Sequence, residues 1–335
     1  MRKIINDPGD FVDEFVEGIV LAHPGMVKHP GADCRVLVRA DAPVEGHVGI
    51  VTGGGSGHLP LFKGYVGKGL CSGVAIGNVF SSPSPEQILE ATKAVDGGAG
   101  VLYLYGNYGG DVLNFDLAAD MAELDGITTA TVLGRDDVAS QPNARKMDRR
   151  GVAGIVFAYK AAGAAAERGD TLEQVKAVAE DVIDNTGTIG VGLSPTILPT
   201  TGQPSFELPD GEMEIGIGIH GEPGVRRGPL ETADQIADDL LTAIVADLGL
   251  KAGDDVAILV NGLGATPLEE LYVLYRRCHQ QLAGQGVTIK KCYIGEFATS
   301  LEMAGASISL LKLNDERLAL LNAPANSPFF EESGA

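Results

Sequence analysis

The chain has 335 residues, of which 44% are hydrophobic, and 45 acidic side chains outnumber 25 basic ones to give a formal net charge of −20. That length and apolar content suffice for two domains with cores of their own, and the acidic balance argues against nucleic acid or an anionic membrane surface as partner. No apolar run reaches the roughly 18 residues of a membrane helix, and the opening MRKIINDPGDFVDEF is acidic rather than the basic-then-apolar start of a signal peptide, so a cytoplasmic protein is expected.

In chain order, a first helix is expected near Pro8 to Ala22, closed by Pro24-Gly25. Strands follow at Cys34–Arg39 and Val48–Val51, and then the glycine-dense stretch VTGGGSGHLP, Val51 to Pro60. Ser84, Pro85 and Gln87 carry the signature of a capped helix start, predicting a helix to about Val95 and a strand at Gly100–Tyr105. A second glycine-rich stretch, GNYGGDVLNF, closes on Asp111, just before an expected helix from Val112 to Leu124. Strand Ile127–Leu133, a polar stretch Arg135–Arg150, an alanine-rich helix Gly151–Arg168 and a helix capped by Thr171 and Gln174 come next. Near Thr186 a strand-and-turn texture replaces the strand–helix alternation, which places a domain boundary there: residues 1–185 and 186–335. The second part is expected to hold a strand at Met213–Ile219 and a long helix at Leu230–Leu248. Strand Val256–Val260, helix Leu268–Leu282, strand Val287–Ile294, a helix and strand Ala306–Leu311 complete it. Strands separated by helices throughout predict an α/β fold of two α/β domains, each a mixed sheet flanked by helices.

Four glycines in five positions (Gly53, Gly54, Gly55 and Gly57) read as a bare turn in which backbone N–H groups converge and a small ligand approaches closely, with His58 at its exit. A loop of the same kind, IGIGIHGEPG from Ile215 to Gly224, centres on His220. Two histidines in matched glycine loops are the leading candidates for chemistry. Asp111 has two readings, a helix N-cap or a functional carboxylate. The chain has no GxxxxGK[ST] phosphate loop, and Gly262-Leu263-Gly264 lacks the rest of a dinucleotide fingerprint. Histidines never fall at HxH or HExxH spacing and the four cysteines form no CxxC, so no protein-held metal is expected.

Taken together these loops resemble the dihydroxyacetone-binding K subunit of the dihydroxyacetone kinase family. The motifs are INDP, VRADAP at Val38–Pro43, GGGSGH at Gly53–His58, SSPSPEQILEA at Ser81–Ala91 and NYGGDVLNF at Asn107–Phe115. GAAAERGD at Gly163–Asp170, GIHGEPG at Gly218–Gly224 and NGLGATPLEELY at Asn261–Tyr272 follow in the same order. The resemblance implies that His220 holds a short ketose covalently as a hemiaminal and that His58 hydrogen-bonds the bound substrate. It further implies that Asp111 accepts the proton of the attacking hydroxyl and that the turn Gly55, Ser56, Gly57 offers backbone contacts. It also implies that nucleotide (ATP or ADP) and Mg²⁺ sit on a separate L subunit. A phosphotransferase M subunit is a further implied partner, and the K subunit is expected to be a homodimer. The chain itself would bind no cofactor.

Two residues depart from the family pattern. Leu59 stands where the loop usually has glutamate, and Gly106 where a lysine commonly precedes NYTGD. With Gly109, the lost bulk and charge point to a ketose other than dihydroxyacetone, such as a tetrulose. A regulatory paralogue, a ketose-binding coactivator without kinase activity, is the alternative. Asp111 favours the kinase, because a sensor needs no base at the reacting hydroxyl.

Overall fold

The computed structural model describes residues 3–334. They divide into two compact units, residues 3–133, 157–181 and 319–334 in the first and 134–156 and 182–318 in the second. Compactness therefore cuts the chain differently from a single division at 185. The polar stretch after residue 134 belongs with the second unit because its backbone pairs there: Val138 N–H donates to Thr188 O at 2.9 Å, and Thr188 N–H donates to Asp136 O at 2.7 Å. The C-terminal residues return to the first unit, where Asn326 N–H donates to Lys68 O and Ser327 Oγ donates to Gly64 O.

The first unit starts with helix α1 (Phe11–Ala22) and strands β1 (Val27–Lys28), β2 (Val36–Arg39), β3 (Gly49–Ser56) and β4 (Gly73–Val79). Helix α2 (Pro85–Val95), strand β5 (Val101–Gly106), helix α3 (Gly109–Leu124) and strand β6 (Thr129–Gly134) follow. The sheet order is β1-β2-β4-β3-β5-β6, with β3 parallel to both β4 and β5. Val36, Val38, Val51, Ala75, Val101, Tyr103 and Tyr105 of the sheet pack with Ile88, Ala91 and Val95 of α2 and Phe115 and Ala118 of α3. The start of α2 is the expected capping box, with Ser84 and Gln87 each bonded to the other's backbone N–H.

Two further helices, α4 (Ile155–Glu167) and α5 (Leu172–Asp184), lie mostly in this unit. The alanine-rich α4 is buried along most of its length, and Gly163 lies so close to the Gly69–Leu70 backbone that a Cβ would collide with it. This accounts for the AAGAAA composition: small side chains let backbone meet backbone. The Thr171–Gln174 cap of α5 is present.

The second unit's strands are β7 (Thr186–Ser194), β8 (Glu212–Ile215), β9 (Arg226–Pro229), β10 (Asp255–Gly262), β11 (Thr288–Gly295) and β12 (Ala304–Lys312), in sheet order β11-β10-β12-β7-β8-β9. The β10–β11 pair is parallel; the β10–β12, β12–β7, β7–β8 and β8–β9 pairs are antiparallel. Helices α6 (Ala233–Leu248) and α7 (Leu268–Gly284) supply Ile236, Leu240, Ile244, Leu271 and Leu282 to its core. Thr232 and Gln235 form a third capping box at α6. The helix expected between the last two long strands is a turn; it comes after them, as α8 (Asp315–Asn322), and the short strands β13 (Ala325–Ser327) and β14 (Phe330–Glu332) follow. No helix among the described residues is long and apolar enough to cross a membrane.

Candidate functional site

The first glycine stretch is not a turn over most of its length. Gly49–Ser56 is one fully buried strand, and its glycines serve close approach. A Cβ on Gly53 would stand 2.8 Å from Ala75 O and 3.1 Å from the Phe115 ring; one on Gly54 would strike the Phe62 ring; one on Gly55 would lie 2.7 Å from Ser81 N. The chain turns at Gly57, whose φ of 104° suits glycine. Ser56 is buried with its Oγ donating to Gly77 O at 2.8 Å and its carbonyl accepting from Phe80 N–H, so its side chain is committed to the scaffold.

His58 follows this turn and is 1% exposed. Its ring stacks on Phe80 with centroids 5.0 Å apart and 14° between planes, and meets Phe62 edge-on at 6.5 Å. Phe80 has a φ of 55°, a left-handed conformation that a bulky side chain takes only where its surroundings impose it. The residues after Phe80 brace α3: Asn114 Nδ2 donates to Pro83 O at 2.7 Å, and Gly110 leaves just enough room for Ser82 Oγ.

Asp111 is the third residue of α3, not its N-cap; Tyr108 takes the cap position and makes no side-chain cap bond. The helix begins at Gly109, three residues before the expected Val112, because Gly109 and Gly110 are already helical. Asp111 is buried in the first turn, where the positive end of the helix favours a carboxylate. Since β3 and β5 are adjacent and parallel, the segment with Gly55, Ser56, Gly57 and His58 and the segment with Asp111 emerge at the same carboxyl end of the sheet. That edge is where open α/β sheets bind ligands. Gly106, at the end of β5, is buried, and Gly109 is exposed with open space where a side chain would stand.

His220 lies in the second unit, on the loop from β8 to β9. The strand expected to run to Ile219 stops at Ile215, because Gly216 turns the chain with a φ of 79°. Glu222 folds back on His220: the ring Nδ1 is 3.0 Å from Glu222 Oε1, and the His220 backbone N–H donates to Oε2 at 3.0 Å. Burial works to raise the Glu222 carboxyl, but the hydrogen bond and charge of His220 and the charge of Arg150 outweigh it and hold it at about 2. An ionised carboxylate can only accept, so the ring donates from Nδ1, and in the neutral form of the ring that tautomer puts the lone pair on Nε2. The His220 side chain is 26% exposed, partly open to a small molecule.

Beneath the loop, Asp137, Thr188, Asn261 and Ser307 line a cavity of about 20 Å³ together with Ile217 and Ile219. Sequence reasoning named His58, Asp111 and His220 but missed Phe80, Glu222 and Arg150. Glu222 was legible as the acid two residues after the histidine in GIHGEPG. Phe80 and Arg150 had no local signal.

The Dak1 domain family matches residues 17–329. The chain is 46% identical over 331 residues, 99% of both chains, to the dihydroxyacetone-binding subunit DhaK of PTS-dependent dihydroxyacetone kinase 2 from Listeria innocua. It is 42% identical over 337 residues to the L-erythrulose kinase of Pectobacterium atrosepticum, covering 99% of this chain and 56% of that one. Among solved structures it is similar to the dihydroxyacetone kinase operon co-activator Dha-DhaQ, with a TM-score of 0.89, 33% identity and coverage of 96% and 98%. The two-sheet α/β architecture, the ordered glycine motifs and a match from Glu17 to Phe329 have one common explanation: the chain belongs to the Dak1 domain family.

Proposed function

We propose that this chain is the ketose-binding subunit of a dihydroxyacetone-type kinase. The observation that carries the reading is the His220–Glu222 pair, an imidazole whose Nδ1 stands 3.0 Å from a carboxylate oxygen; donation from Nδ1 leaves the lone pair of the neutral ring on Nε2. Likeness along its full length to a dihydroxyacetone-binding subunit supports it. In the capture step the Nε2 lone pair adds to the ketose carbonyl carbon and forms an N–C bond. The C=O π pair moves to oxygen and takes up a proton, and the imidazole releases its Nδ1 proton towards Glu222, so one proton is gained and one lost. Capture selects ketones and aldehydes over polyols, which have no carbonyl.

His58 then hydrogen-bonds the bound ketose, and Asp111 accepts the proton of the terminal hydroxyl as it attacks the phosphoryl group. Gly55 and Gly57 offer backbone contacts beside the Ser56 backbone. Phosphoryl transfer needs positioning and charge neutralisation, and in this reading a partner subunit brings ATP, or ADP recharged by a phosphotransferase protein, together with Mg²⁺. The chain works as a homodimer in the cytoplasm. The small residues Gly106 and Gly109 leave room for a four-carbon ketose, and the likeness to an erythrulose kinase supports that choice.

Likeness to a co-activator supports a second reading, a ketose sensor without kinase activity. Intact-protein mass spectrometry with dihydroxyacetone and with erythrulose, with His220→Ala alongside, tests capture. Adding a nucleotide-carrying partner and measuring ketose phosphate separates kinase from sensor. An adduct without phosphorylation under any donor would support the sensor, and no adduct on the wild-type chain would refute covalent capture.

A further inference from the structure

Arg150 sits behind the His220–Glu222 pair, 70 residues upstream in sequence, and its guanidinium faces three groups of the second unit. Nε and Nη2 donate to Asp137 Oδ2 at 3.0 and 2.8 Å, Nη2 reaches Gly216 O at 3.4 Å, and Nη1 stands 3.8 Å from Glu222 Oε2. The anchor is itself held. Asp137 is 3% exposed, takes the Ala139 N–H on Oδ1 at 3.1 Å, and its own N–H donates to Arg150 O. Asp136 beside it accepts from Val152 and Gly154 N–H groups, which fixes the backbone that follows Arg150. On the other flank of the loop Glu214 is occupied with Gly224 N–H and Arg227. Arg150 is therefore the cation that faces Glu222.

Gly218 shows how tightly the pair is built. A Cβ there would crowd the ends of Glu222 and Arg150, at Oε2 and Nη1, so the pair as placed occupies the space that glycine leaves behind the imidazole. A glutamate two residues from a histidine on a turning loop has several rotamers open to it. One that brings Oε1 to the ring and Oε2 to the backbone N–H needs a fixed counter-charge behind it.

We propose that Arg150, anchored by Asp137, is a positioning residue for ketose capture: it holds Glu222 ionised and in register so that His220 keeps its proton on Nδ1 and its lone pair on Nε2. This rests on the reading of His220 as the capturing group, but its first test does not need a ketose. At a pH near 8 the ring nitrogens of His220 in ¹⁵N-labelled, ligand-free protein, assigned against His220→Ala, report the tautomer directly. The wild type should show a protonated Nδ1 and an unprotonated Nε2. Arg150→Met should give a mixture of tautomers and weaken erythrulose adduct formation by about tenfold or more, the usual cost of losing a partner that orients a reacting imidazole. Arg150→Lys, which keeps the charge, should recover much of both. Asp137→Asn leaves Arg150 in the chain while removing its anchor and should shift the tautomer in the same direction; it serves if Arg150→Met does not fold. A folded Arg150→Met or Asp137→Asn protein whose tautomer is unchanged overturns the proposal, whether or not its melting temperature or adduct yield falls. A wild-type chain that forms no adduct would instead remove the capture reading and leave the tautomer arm to be judged alone.

Discussion

At the residue scale the proposed chemistry rests on which nitrogen of His220 holds a proton, and Nδ1 stands 3.0 Å from a carboxylate two residues away. Glu222→Gln keeps the size of the side chain but can present an N–H to the ring as readily as a carbonyl. Adduct formation with erythrulose is expected to fall by roughly 10- to 100-fold, read by mass spectrometry. The same carboxylate gives a signed pH dependence. Its folded value of about 2 lies below the ordinary 4.5, so its stabilisation is complete above pH 4.5 and is lost as pH falls towards 2. Asp137 has the opposite sign: burial raises it to about 6 from 3.8 against the pull of Arg150, so the folded state takes up its proton first. Asp137→Asn should therefore abolish a gain in stability that the wild type shows as pH falls from about 6 to about 4, measured by urea midpoints across that range. A wild-type stability flat in pH over both windows would contradict these assignments.

At the element scale, the strand β3 is a case where composition misleads about conformation. A run of glycine normally weakens a strand, yet here each missing side chain makes space for a specific neighbour: Ala75 O and Phe115 at Gly53, Phe62 at Gly54, Ser81 N at Gly55. Gly54→Ala pushes a methyl into the Phe62 ring, which packs edge-on against His58. It is expected to cost about 1–3 kcal/mol by overpacking, seen in chemical denaturation. The helix starts behave more simply. Ser84→Ala removes one arm of the α2 capping box and should cost about 1 kcal/mol without altering ketose capture. If Gly54→Ala proved no worse than Ser84→Ala, the close-approach account of the strand would fail.

At the scale of the whole molecule the division of labour is between units that are interleaved in sequence. The first carries His58 and Asp111 at the carboxyl end of β3 and β5, and the second carries His220 on the β8–β9 loop. The proposed function assigns capture to one set of residues and proton abstraction to the other, and this makes them separable by mutation. Asp111→Asn should leave the His220 adduct in place while lowering ketose phosphorylation by about 10²- to 10⁴-fold with a partner subunit present. Loss of both activities together would argue that Asp111 acts on the fold and not on the proton.

The sequence by itself determined whatever depends on short range. The capping boxes at Ser84 and Thr171, the alternation of strands and helices and the glycine-flanked settings of His58, Asp111 and His220 were legible there, because caps, periodicity and glycine-flanked loops involve residues within a turn or two of each other. The boundaries slipped where a glycine decided between continuing and turning, as at Gly109 and Gly216. Only the tertiary structure decided that the GGG run is a buried strand, that Phe80 stacks on His58, and that residues 134–156 belong with the second unit. It alone brought Arg150 to Glu222. Each of these is a contact between segments distant in sequence, and a glycine that admits a neighbour's ring looks the same in a sequence as a glycine that bends a loop.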